Sequence, residues 1–204
     1  MTVETKRRIS AEARRDGLLE AAARLIVEQG LVACTLEAVG EAAGVSKALV
    51  YKHFANRPAL FEALIEREFA EIRRRGLSLA PAGTPLAKAR LPYLKSYLRY
   101  LAERGAVLRA LLSDPTIASL TAKQRRGERG GIEDYFVKGV MEAYGLPKDL
   151  ATLGLRMTLY APESAIGWMT RTGFDLDRAA EFWATFLEGG WRAAAARFGE
   201  TPKR

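Results

Sequence analysis

The run from Thr35 to Phe54, TLEAVGEAAGVSKALVYKHF, leaves the backbone few choices. Thr35 is a helix-capping residue whose hydroxyl can accept from the free N–H groups of a first turn. Leu36, Val39, Gly40 and Ala43 then recur at helical spacing and mark one narrow buried face. Gly44 follows, the residue best able to take the positive φ that ends a helix and turns the chain. Ser46 caps a second helix with Val50 and Phe54 on its inner side, so Lys47, Ala48, Leu49, Tyr51 and Lys52 point outward, two of them cations and none an acid. This is the pattern of a helix-turn-helix, which presents its second helix to the major groove of duplex DNA.

The flanking residues make the pattern specific. LLEAAARLIVEQG precedes it as a first helix, and FANRPALFEAL follows, opening a fourth. With GVSKALVYKHF between them, the run from Arg14 to Phe69 resembles the N-terminal domain of the TetR (tetracycline-repressor-type) transcription regulators. The resemblance covers about the first third of the chain; beyond it only length and helical character agree. It implies an all-α protein: a three-helix DNA-binding domain over 12–72, with its helix-turn-helix at 35–54, and a helical ligand-binding and dimerisation domain over 86–200. It further implies a homodimer on a palindromic DNA operator, a repressor released by a small, largely apolar effector, and no cofactor. Positions matching Thr35, Lys47, Tyr51, His53 and Arg57 often touch the DNA backbone in that family, and Ser46, Ala48, Leu49 and Lys52 complete the expected DNA-binding set. Two positions depart from the family pattern. Leu49 stands where Thr is common, and either meets a thymine methyl or packs on the first helix. Ala48 stands where Gly is common.

Charge is consistent with a polyanionic partner without naming one. The 204 residues carry 32 Lys and Arg against 24 Asp and Glu, a formal net charge of +8. Residues 1–76 hold 13 basic and 11 acidic groups, so the positive charge there is local. It gathers in Lys6, Arg7, Arg8, Arg14 and Arg15, a candidate N-terminal arm, and again in Lys47, Lys52 and Arg57. Cys34 is the single cysteine, which precludes an intrachain disulfide and fits a reducing compartment. Its simplest role is as a small apolar residue packed beside the first helix. The first ten residues lack the apolar stretch of a secretory signal, and no run is long and apolar enough for a membrane span. A cytoplasmic location, without membrane association, is the expectation.

Strand-like alternation is absent and helical periodicity persists almost throughout. Residues 78–85, SLAPAGTP, read as a linker. After it comes a helix with Leu91, Leu94, Leu98 and Leu101 on one stripe and Tyr93, Tyr97 and Tyr100 on the next. LTAKQRRGERGG is basic and glycine-punctuated and reads as exposed surface, with a helix following over Ile132–Tyr144 whose inner face is Tyr135, Phe136, Gly139, Val140 and Ala143. Two long helices close the chain, about Lys148–Arg171, kinked at Pro162, and Asp175–Phe198. The tyrosine stripe has two readings. One is core packing; the other is a ligand cavity lined by some of Tyr93, Tyr97, Tyr100, Phe136 and Met157, with Arg109, Arg156 and Glu163 orienting a polar group. Phe182, Trp183, Phe186 and Gly190 form the candidate dimer surface.

Enzymatic chemistry finds little support. One histidine, His53, and one cysteine cannot build the usual zinc sites, and no catalytic triad, P-loop or dinucleotide fingerprint is present. Glu133 and Asp134 are adjacent on a helix and point apart. The alternative of another class is a nucleoid-type DNA-binding protein with no ligand, which would bind duplexes of any sequence.

Overall fold

The computed structural model describes residues 10–77, 84–120, 122–159 and 161–199, and every regular element in them is an α-helix. The chain divides into two compact units, Met1–Arg67 with Val107–Thr121, and Glu68–Ala106 with Ala122–Arg204.

The first unit opens with α1 (Ala11–Gln29), where the Ser10 hydroxyl accepts from the Ala13 amide at 3.1 Å. Gly30, at φ 84°, ends it. Leu18, Leu19, Ala22, Leu25 and Ile26 form its buried stripe. Two short helices follow, α2 (Leu36–Ala43) and α3 (Lys47–His53), and then α4 (Arg57–Arg74) begins, its first turn capped by the Asn56 side chain accepting from the Ala59 amide. Leu60, Leu64 and Ile65 of α4 are fully buried, as their spacing predicts. α6 (Gly105–Ser113) and α7 (Pro115–Leu120) fall largely in this unit.

The second unit is built from α5 (Leu86–Glu103), α8 (Ala122–Tyr144), α9 (Lys148–Leu159), α10 (Ala161–Thr172) and α11 (Leu176–Phe198). Helix α5 packs against α11, α10 and α8, and α8 also packs on α9 and α11. Two glycines permit the closest approaches. A Cβ on Gly139 would stand 3.1 Å from the Leu86 Cβ, and one on Gly154 would stand 2.4 Å from the ring of Trp191. The outer edge of the Trp191 indole therefore reaches the backbone of α9, a position open to it only because residue 154 has no side chain.

Away from the apolar core, the Glu68 carboxylate is wholly buried and receives two bonds from the Arg104 guanidinium, at 2.8 and 2.7 Å. Removing Arg104 would take two donors from a buried carboxylate, a kind of change that costs up to about 3–5 kcal/mol.

The structure corrects three expectations from sequence. Helix α8 begins at Ala122, so the basic, glycine-punctuated stretch is helical, because helix already nucleated by the apolar turns after Ile132 extends at little cost through residues of moderate propensity. The kinked helix is instead two helices, and Pro162 sits in the first turn of α10, where its missing N–H costs nothing. Ala143 is exposed, and Val137 takes its place on the inner face of α8. Residues 78–83 of the expected linker lie outside the described residues.

Gly154→Ala should force Trp191 out of its position and destabilise the protein by about 1–3 kcal/mol, the usual cost of overpacking. Urea titration followed by tryptophan fluorescence checks this, and an unchanged midpoint would contradict the packing described.

Candidate nucleic-acid interface

Two capped helices and one left-handed turn set the geometry of the first unit's outer face. The Thr35 hydroxyl accepts from the Ala38 amide at 3.1 Å and caps α2. Gly44 takes φ 66° and ψ 33°, and its amide returns to the carbonyls of Gly40 and Glu41. Ser46 caps α3 through the Leu49 amide at 3.4 Å. Helices α2 and α3 meet where a Cβ on Gly40 would come within 3.2 Å of a Val50 methyl and 3.3 Å of the Val45 carbonyl. Val50 and Phe54 are thereby sunk in the core, and Lys47, Ala48, Tyr51 and Lys52 are exposed. Leu49 is half-buried, and so is His53, whose ring leans on Phe54 at 6.4 Å.

The expected DNA-binding residues therefore occupy three settings. Lys52 and Ala48 stand open on α3. Lys47 and Tyr51 are engaged by a residue that the sequence reading did not single out: Glu37 of α2 accepts from Lys47 Nζ at 2.7 Å and from the Tyr51 hydroxyl at 3.1 Å. Lys47 Nζ also stands 5.5 Å from the centre of the Tyr51 ring. Only the i-to-j distance across the turn makes Glu37 a neighbour of α3, and spacing within one helix does not report it. Arg57 is committed within the fold. Its guanidinium donates to the carbonyls of Cys34, at 3.0 Å, and Leu31, and lies over the Phe61 ring. It holds the α1–α2 connection to the start of α4. Cys34 is fully buried with its thiol toward the Ala22 carbonyl, and burial pushes that thiol up to about 11, which makes it a packing group. The arm residues Lys6, Arg7 and Arg8 lie outside the described residues.

The second unit holds a cavity of about 60 Å³ among α5, α8, α9, α10 and α11. Tyr93, Tyr97 and Phe136 line it, as one of the two sequence readings had it, with Trp183, Leu187 and Trp191 opposite. Tyr93 meets Phe136 edge to face at 4.9 Å and stacks on Tyr97 at 5.9 Å. Four of the residues named from sequence have other settings. Tyr100 is a core residue, 2% exposed, and its hydroxyl has no hydrogen-bond partner among the described residues. Met157 is 73% exposed, on the opposite side of α9 from Leu155 and Thr158, which do line the cavity. Arg109 belongs to the first unit and is exposed. Trp183, expected on a dimer surface, lines the cavity. Glu163 stands outside the lining but accepts from the Tyr97 hydroxyl at 2.9 Å.

Among the described residues that line the cavity, Arg90 is the one charged side chain, and it is neutralised. Its guanidinium bonds Glu188 at 2.6 Å and the Tyr144 hydroxyl at 3.0 Å, and Tyr144 in turn donates to Glu188 at 2.6 Å. The Tyr144 hydroxyl, Arg192 and Arg90 together hold the Glu188 carboxyl down to about 2.

An all-helical chain that offers a capped, cation-bearing second helix beyond a left-handed turn is of the helix-turn-helix class of DNA-binding proteins. Residues 18–64 match the family model described as "Bacterial regulatory proteins, tetR family", so the N-terminal part of the chain is of that type. Its N-terminal part is 35% identical over 60 residues to the HTH-type transcriptional activator FasR of Mycolicibacterium smegmatis, a match spanning 29% of this chain and 27% of that protein. A TetR-like transcriptional regulator from Rhodococcus sp. RHA1 superposes with a TM-score of 0.73 at 16% identity, covering 90% of this chain and 98% of that one. A putative fatty acid metabolism regulator from Clostridium perfringens superposes with a TM-score of 0.71 at 14% identity, covering 85% and 97%. Among the described residues no helix is long and apolar enough to cross a membrane.

A carboxyl held below its ordinary value of 4.5 stabilises the fold above that pH, and the contribution is lost as pH falls toward 2. Glu188→Gln should therefore lower the melting temperature at pH 7, and the gap from wild type should close between pH 4.5 and about 2. Melting curves across that range check it; a gap independent of pH would contradict the assignment.

Proposed function

We propose that this chain is a homodimeric, ligand-responsive transcription repressor that binds a palindromic operator and leaves it when a small, largely apolar molecule occupies the second unit. The observation that carries the reading is α3: its apolar side is buried through Val50 and Phe54, and Lys47, Ala48, Tyr51 and Lys52 face solvent. Side chains so placed on a second helix reach phosphates and base edges in the major groove. One such short helix reads few bases, so two copies on half-sites ~34 Å apart are needed for useful affinity.

The dimer rests on exposed aromatics of α11. Phe182 is 68% exposed and Phe186 57%, and these two rings stack at 6.3 Å. Nothing stands within 4 Å of a Cβ built on Gly190, which leaves room for a partner helix. Large apolar groups held in water on one helix favour association with their own copy across a two-fold axis.

Apolar walls favour an apolar effector, and the name of the Clostridium perfringens protein makes an acyl chain a reasonable first trial. A cavity of about 60 Å³ is well below the roughly 150 Å³ of one known to bind benzene, so a larger occupant spreads the lining helices or extends out of the cavity. A ligand that fits the spread state better than the closed one shifts the population toward it, which is the requirement for a switch. The name of FasR favours a second reading, activation in place of repression. A reporter fused to a fragment selected from genomic DNA decides: expression rising on deletion of the regulator supports repression, and expression falling supports activation. If no fragment is enriched over random sequence, the operator reading is wrong.

Two substitutions test the surfaces. Lys52→Ala should weaken binding several-fold and flatten the dependence of log K on log salt by about one unit, with the fold unchanged. Phe186→Glu should give folded monomers in sedimentation, with operator affinity much reduced. A Phe186→Glu protein that remains dimeric would remove Phe186 from the interface.

A further inference from the structure

We propose that Glu37 is a built-in competitor for phosphate, which weakens the grip of α3 on duplex DNA of every sequence. The inference rests on the reading of α3 as the DNA-facing helix. Glu37 Oε1 lies 2.7 Å from Lys47 Nζ and 3.1 Å from the Tyr51 hydroxyl, so one carboxylate already engages two of the groups a phosphate would use. The competitor comes from α2, since α3 itself carries no acid. Its charge is secure: Lys47, its own backbone amide and Tyr51 hold the Glu37 carboxyl below the usual carboxylate range. Both partners of the ion pair are solvent-exposed, with 63% of the Lys47 side chain and 45% of the Glu37 side chain accessible. The pair is therefore cheap to exchange and can yield to DNA.

Lys52 is exposed, makes no ion pair among the described residues and supplies the contrast on the same helix. When a free lysine meets a phosphate, the condensed counterion leaves the DNA, which gives a slope near −0.9 for each contact. Lys47 must first leave Glu37, and the bared carboxylate then draws a cation back from solution. Release at the phosphate and uptake at Glu37 offset each other, so the Lys47 contact adds little to the salt dependence and little to affinity. The phosphate term is independent of sequence, so the penalty falls on operator and random DNA alike. An equal penalty leaves the ratio of operator to random affinity unchanged and lowers the overall affinity of a chain of net charge +8 for duplex DNA.

The test uses the full-length protein, a labelled duplex of scrambled sequence, and titrations between about 50 and 200 mM salt. Glu37→Gln should bind about three- to tenfold more tightly at the low end, and its salt slope should steepen by about one unit. Lys47→Ala should change the slope little in the wild-type background and flatten it by about one unit in the Glu37→Gln background. Lys52→Ala should flatten it by about one unit in both. Equal or weaker binding by Glu37→Gln, with unaltered circular dichroism and melting, would overturn the proposal and leave Glu37 as a residue that positions Lys47. A Lys47→Ala effect of the same size in both backgrounds would also overturn it. If wild type and Lys52→Ala alike fail to bind any duplex, the DNA-binding reading itself falls, and this inference with it.

Discussion

The contact between Gly40 and Val50 governs the DNA-facing surface. Helix α3 has seven residues, too few to be stable alone, and it exists because one side of it is buried. Val50 is fully buried, with a methyl group in the space that any side chain at position 40 would fill. That close approach fixes the rotation of α3 about its own axis, and the rotation decides which residues face water. Turning α3 by one residue would sink Tyr51 and expose Val50. Gly44 completes the constraint, since its left-handed backbone reverses the chain in the space two helices need.

The same economy of small residues recurs in the second unit for a different end. Gly154 lets the Trp191 ring reach the backbone of α9, and Gly139 lets α8 close on α5. These contacts leave a cavity where Tyr93, Phe136 and Trp183 cannot fill the space between them. Arg90 enters its wall without making it polar, because Glu188 and Tyr144 take up its charge and donors. The exposed face of α11 and the cavity share that helix: Phe182 and Phe186 look outward, and Trp183 and Leu187 look in. A change in occupancy of the cavity and a change at the exposed face thus have a common mechanical element.

Electrostatics separates residues of the same type. Arg57 and Lys52 both look like phosphate-binding cations in the sequence. Arg57 has two carbonyls and an aromatic ring as partners, whereas Lys52 is exposed and makes no ion pair among the described residues. Lys47 lies between these cases, paired with a carboxylate at an exposed site where the bond is easily exchanged. What a cation contributes to binding depends on the partner it must give up.

The all-helical class, the two caps at Thr35 and Ser46, the turn at Gly44 and the buried faces of α1, α2 and α3 were legible in the residue order. Each depends on interactions within a few positions: a side chain reaching its own helix end, a glycine at its own φ, an apolar residue recurring every three or four. Where Pro162 falls was legible too, but not that the chain makes two helices there in place of one kinked helix. The sequence could not show that Glu37 faces Lys47, that Arg57 turns inward, that Trp183 belongs to the cavity or that Met157 lies outside it. Tyr93, Tyr97 and Tyr100 share a helix and a residue type, yet two line the cavity and the third is core. Those outcomes depend on which helices approach from elsewhere in the chain, and at what rotation. Periodicity defines a face, but only the neighbouring helices determine what that face meets.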